Sequence, residues 1–198
     1  ALNSSVTTSE ASTLYIKGAP AASTNQTIIR AYALNVAGGD VKLGADLQVG
    51  GIITAKQKHV MNCGFNVSSS GKKYLPFGYG GTFESTSTSN VGEFIAFTAP
   101  CNGYLDYCVL RTEGTPGSTT MALHLASDGT EVPSTTATHT TAAIDMSTDD
   151  ISTKFSFGST DGAFTAGQVI VIGADFSSAC SDTWCTAVLV LDWNNEIS

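Results

Sequence analysis

The sequence predicts an all-β protein: a short Gly-punctuated N-terminal β shaft or arm, followed by an antiparallel, jelly-roll-like β-sandwich. Three observations carry that expectation. The chain is 42% hydrophobic but only 13% charged, about half the usual charged share. Ser and Thr fill the polar positions, and these suit turns and strands rather than the solvent faces of long helices. Between Tyr32 and Ala55, Val41, Leu43, Ala45, Leu47 and Val49 fall on every second residue, with Gly38-Gly39 and Gly50-Gly51 as punctuation, so short strands turn sharply and restart. Beyond Gly64, apolar runs recur at the spacing of a sandwich, separated by Gly, Pro, Asn and Asp.

In chain order, residues 1–13 are polar and aperiodic and read as a linker or docking arm. Residues 14–62 read as an N-terminal β shaft or trimerisation module. It opens on Leu14-Tyr15-Ile16, which Gly18 and Pro20 end, and resumes over Ile28 to Val36. A strand pattern this short cannot bury its apolar face alone, so it needs a sheet elsewhere or copies of itself. Leu34, Val36, Val41, Leu43, Leu47 and Val49 are therefore the candidate trimer-interface residues. Lys56 to Asn62 breaks the rhythm and reads as a junction.

Residues 63–198 read as the C-terminal sandwich, or knob. Its clearest strands are expected at Glu93–Thr98, Gly103–Arg111, Thr119–Ala126, Ser152–Phe157, Gln168–Ala174 and Ala187–Trp193. Weaker ones are expected near Phe65–Ser68, Lys73–Phe77 and Ala142–Met146. Turn signals lie between them at Pro116-Gly117, Asp128-Gly129, Asp161-Gly162 and Ala166-Gly167, where Gly supplies the backbone angles a tight turn needs.

The net charge of −8 argues against nucleic acid, because neutralising phosphates takes a basic patch. No apolar run approaches the length of a membrane helix, so no membrane insertion is expected.

Chemical motifs are sparse. His59, His124 and His139 are far apart and lack the close pairing that zinc ligands show. His124, within MALHLAS, reads as a strand-surface residue. No G-x-S-x-G elbow and no phosphate loop occurs, so no catalytic, cofactor-binding or metal residue is assigned. Asp145, Asp149, Asp150, Asp161 and Asp175 fall near expected loops and could converge on calcium, but such residues commonly hydrogen-bond their own turns.

Of the five cysteines, Cys180 and Cys185 could close the small loop CSDTWC, and Cys101 and Cys108 could bridge strand edges. Cys63 is then left over, facing a copy of itself in an oligomer. Buried cysteines also serve simply as small hydrophobes. Among the aromatics, Tyr74, Phe77, Tyr79 and Phe83 cluster beside glycines, and Trp184 lies in the small Cys loop. Tyr79 and Trp184 are the candidate glycan or receptor contacts, since exposed aromatic rings stack on sugars and anchor recognition surfaces. Trp193 reads as core or interface.

Two stretches carry a family resemblance. Ser12-Thr13-Leu14-Tyr15-Ile16, Gly18, Pro20, Tyr32-Ala33-Leu34, Val36 and Leu47 to Gly51 resemble a repeat-like module of tailed-bacteriophage fibres and other virion structural proteins. Ser69-Ser70-Gly71 to Pro76, Ala99-Pro100, Gly103, Arg111 to Thr120, Leu123-His124, Asp128-Gly129-Thr130, Val132-Pro133, Phe155-Ser156-Phe157 and Ala166-Gly167 are similar to a C-terminal domain of phages of marine bacteria. The resemblance implies a non-enzymatic homotrimer on the virion exterior, tail or capsid surface. Three N-terminal segments would form its shaft, docked to other virion proteins, and three sandwiches its knob. It implies no catalytic residue and no cofactor, and the cysteines depart from its pattern.

Four functions are then open. The first is a tail fibre or spike that displays a knob for attachment to the host surface. The second is a capsid decoration or cement protein, or head fibre, that stabilises the shell. The third, a secreted carbohydrate-binding module, leaves residues 12–51 unexplained. The fourth, a depolymerising tailspike enzyme, would need a longer β-helix with a carboxylate-lined groove.

Overall fold

The structure, a computed structural model, describes residues 55–77, 96–127, 130 and 133–196, with the isolated residues Ala19, Ala21, Ala22, Ile28 and Leu34. The chain divides into two compact units, Ala1–Gly51 and Ile52–Ser198. Of the first unit's candidate interface residues, Leu34 is described and exposed. Val36, Val41, Leu43, Leu47 and Val49 lie outside the described residues, as does the Gly-punctuated strand pair.

The second unit is a sandwich of two antiparallel sheets. Its elements are β1 (Lys56–Asn66), β2 (Gly71–Tyr74), β3 (Phe97–Thr98), β4 (Cys101–Thr112), β5 (Gly117–Ala126), β6 (His139–Thr140), β7 (Ile144–Met146) and β8 (Thr153–Ser156). There follow one helical turn, α1 (Gly158–Asp161), then β9 (Ala163–Phe164), β10 (Val169–Phe176) and β11 (Asp182–Glu196). The first sheet runs β1-β11-β4-β8, with β9 also on β4. The second runs β2-β10-β5-β6, with β3 on β10 and β7 on β5.

The order is nested. The first strand pairs with the last and the second with the last but one, while β4 and β5 pair with the strands that follow them. A long antiparallel hairpin wrapped into two sheets has this connectivity, which is that of a jelly roll. The all-β sandwich expectation is met: 58% of the described residues lie in strands and 3% in helix.

Alternation along the strands builds the core. From the first sheet, Phe65, Cys185, Ala187, Leu189, Leu105, Cys108, Leu110 and Phe155 point inward. From the second, Met121, Leu123, Ile170, Ile172, Ala174 and Phe176 meet them. A fully buried side chain of this kind contributes roughly 1.5–3 kcal/mol relative to an exposed one.

Two expected turns take the form their residues suggest. The Gln168 N–H donates to Thr165 O at 3.2 Å, with Gly167 at the third position and φ +85°, the sign a type II turn demands there. Gly117, after Pro116, has φ +70°.

The expected junction at Lys56 to Asn62 is corrected: it is the first part of β1, paired residue for residue with β11 from Lys56↔Asp192 to Asn66↔Asp182. Its inward positions Gln57 and His59 are polar and its outward Val60 is apolar, which hides the alternation. β11 likewise begins well before Ala187, because Thr183 and Cys185 are buried inward.

Candidate binding face

The outer face of the first sheet follows from the register of β1, β11 and β4. Successive cross-strand rows are Lys56–Asp192–Asn102, Lys58–Val190–Tyr104, Val60–Val188–Tyr107, Asn62–Thr186–Val109 and Gly64–Trp184–Arg111. β8 adds Lys154 beside Val109 and Ser156 beside Tyr107. Between Leu105 and Tyr107 the register with β11 shifts by one, so Asp106 is a bulge residue. Bulges re-aim side chains, and this one brings Tyr104 and Tyr107 to the same face although they are three residues apart.

Trp184 lies at one end of the face and is 49% exposed. It stands opposite Gly64, where an added Cβ would be 3.7 Å from the indole Cδ1. The missing side chain leaves the ring a flat seat on the sheet. A shallow depression of about 420 Å³ is lined by Val109, Arg111, Ser152, Trp184 and Thr186. The Arg111 guanidinium donates to Asp150 Oδ1 at 3.0 Å, with both side chains about half exposed. At the far end, a depression of about 250 Å³ is lined by residues including Lys56, Asn102, Tyr104, Ser159 and Asp192.

Between the two, Lys154 Nζ lies 4.2 Å from the centre of the Tyr107 ring. Lys58 donates to Asp106 Oδ2 at 3.1 Å, and that carboxylate holds the ammonium above its usual pKa. Thr186 Oγ1 donates to Asn62 Oδ1 at 2.9 Å. Val60 is 61% exposed.

The face thus carries Lys56, Lys58, Arg111 and Lys154, four of the nine basic residues in a chain of net charge −8. Opposing them there are Asp106, Asp150 and Asp192. A half-exposed indole beside an arginine, with hydroxyls and a shallow depression, can stack on a flat apolar ring face while hydrogen-bonding the polar rim of the same ligand.

The other expected sites are distributed as follows. Tyr79 and Phe83 lie outside the described residues, while Tyr74 and Phe77 are buried and so are not contact residues. Trp193 packs against the core, its ring 5.9 Å from that of His59.

His124 is corrected from a surface residue to a fully buried one. It lies on the outer face of the second sheet but is covered, its ring 5.1 Å from that of Tyr74 and its Nδ1 3.0 Å from Ser134 O. A carbonyl only accepts, so Nδ1 carries the proton. The buried Nε2 has no hydrogen-bond partner among the described residues, and burial lowers the imidazole pKa.

The aspartates do not converge. Asp149 accepts from the Gly114 N–H, Asp150 pairs with Arg111, and Asp161 Oδ2 is 3.6 Å from His139 Nε2. Among the described residues no group of three or more His, Cys, Asp or Glu could hold a metal ion.

The cysteines differ from expectation as well. None of the five is in a disulfide. Cys180 Sγ lies 3.4 Å from Thr183 Oγ1, and Cys185 is buried in the core opposite Cys63. Cys101 and Cys108 occupy one strand, about 23 Å apart at the usual rise per residue, and cannot bridge. Cys63 faces Cys185 within its own sandwich.

No protein-family model matches the chain, and no curated protein matches it. Among solved structures, a chain of the cyanophage Pam1 capsid asymmetric unit is similar at 14% identity and a TM-score of 0.31. The match covers 75% of this chain and 94% of that one. A likeness of that size carries no argument about this chain's fold or role.

Proposed function

We propose that the chain is a non-enzymatic structural protein of a phage virion, a trimeric tail fibre or spike whose sandwich is the knob that contacts the host surface. The observation that carries the attachment reading is the outer face of the first sheet. It presents Trp184 about half exposed next to Arg111, with the tyrosine and lysine side chains of β4, β1 and β8 further along the same face. Jelly rolls serve both as viral shell proteins and as lectins, so the fold is compatible with the reading, though fold alone never assigns function. The phage resemblance of residues 12–51, and their need for partners to bury an apolar face, support a trimeric shaft.

Two measurements on the full chain test this. Light scattering should give a molar mass near three chains at micromolar concentration, and a mass of one chain would overturn the shaft. Antibodies against the sandwich should label the tails of intact virions. Label spread over the head would instead favour a decoration protein bound through its N-terminus, and no label on virions would overturn the virion reading.

A further inference from the structure

The inner face of the first sheet holds a layer of three thiols. Cys63 on β1 stands directly opposite Cys185 on β11, and Cys108 on β4 lies one residue pair along, opposite Ala187. After burial, the neighbouring Cys108 and Cys63 thiols also act to raise the pKa of Cys185. Cys108 and Cys185 are fully buried, whereas Cys63 is part exposed.

Residues directly opposed in an antiparallel pair have Cα atoms about 4.5–5.5 Å apart, inside the range of about 4.4–6.8 Å that a disulfide spans. The diagonal from Cys185 to Cys108 is about 7–8 Å and lies beyond it. Geometry therefore selects one pair of the three.

We propose that Cys63 and Cys185 form a covalent cross-link site: under a disulfide-class oxidant they join, fastening the edge strand β1 to β11. Cys63, the part-exposed thiol, attacks one sulfur of a small disulfide as its thiolate and releases one small thiol. Cys185 then gives up its proton and attacks the Cys63 sulfur, displacing the second small thiol. Two protein thiols are oxidised and one small disulfide is reduced to two thiols. Burial holds the Cys185 thiol well above its usual pKa, so the second step is the slow one. The bond closes a loop of about 120 residues, a length at which cross-linking constrains the unfolded chain strongly. β1 is also the first described strand after the boundary at residues 51 and 52, so the link secures the edge by which the chain enters the sandwich.

The experiment incubates the full chain with oxidised glutathione, then blocks remaining thiols under denaturing conditions and maps peptides without reduction. The expected result is a Cys63–Cys185 peptide, a fall from five blockable thiols to three, and a melting temperature raised by about 10 °C. Cys108→Ser should still form the bond, whereas Cys63→Ser should neither form it nor gain stability, with circular dichroism confirming that both fold. Glutathione capping of Cys63 without an internal link would overturn the proposal. So would a link from Cys185 to Cys108 or Cys180.

Discussion

Trp184 and Gly64 stand opposite each other on the outer face of the five-stranded sheet, and the glycine leaves the half-exposed indole an unobstructed bed. Ligand contact and stability therefore separate at Trp184. Replacing it with Ala should cost no more than about 1 kcal/mol of stability, since a half-exposed ring is not a core residue. Urea denaturation checks this, and a loss several times larger would make Trp184 a structural residue.

Gly103 is held to glycine by packing. A Cβ there would overlap Val190 O and come within 2.8 Å of the Phe164 ring. Gly103→Ala should destabilise by about 1–3 kcal/mol, the usual cost of overpacking, seen as a lower urea midpoint at unchanged slope. Gly64→Ala, whose nearest neighbour is at 3.7 Å, should be nearly neutral by the same assay.

Core and surface should differ sharply. Phe155 is buried between the sheets, and Phe155→Ala should cost about 3–5 kcal/mol. Lys58→Ala breaks an ion pair with Asp106 whose lysine is well exposed. Exposed pairs contribute little, so its effect should be within the error of the same denaturation experiment.

Acid should weaken the sandwich through His124. Its pKa is lowered mainly by burial and further by the Lys72 charge, against the Ser134 carbonyl bond that raises it. The unfolded chain takes up a proton near the ordinary value of about 6.5, while the folded chain resists. The neutral-histidine stability is therefore complete above about pH 6.5. It falls as the pH drops below that, and levels off once folded His124 is itself protonated. His124→Gln removes the titration, so the fall in melting temperature from pH 7 to pH 5 should be smaller in the variant than in the parent. An equal fall would assign the acid sensitivity to other groups.

Much of the fold is legible in the sequence where one strand face is uniformly apolar. β5 and β10 lie close to their expected bounds because Met121, Leu123, Ile170 and Ile172 alternate or run without interruption. β1 is not legible, since His59 points inward and Val60 outward. Half of the candidate face is hidden for a similar reason. Tyr104 and Tyr107 have opposite parity in the sequence, and only the bulge at Asp106 places both outward. Trp184 is legible as an exposed aromatic, but its neighbours Arg111 and Gly64 come from strands distant in sequence. His124 could not be read as buried, because the segment around Ser134 that covers it has no apolar signature.

Binding of the fluorescently labelled full chain to host cells, compared with the Trp184→Ala variant, tests the attachment face most directly. Loss of an aromatic anchor implies at least a ten-fold loss of affinity, roughly 1.4 kcal/mol or more, at unchanged molar mass and with the fold retained. Equal binding by the two proteins would contradict the assignment of this face to host contact.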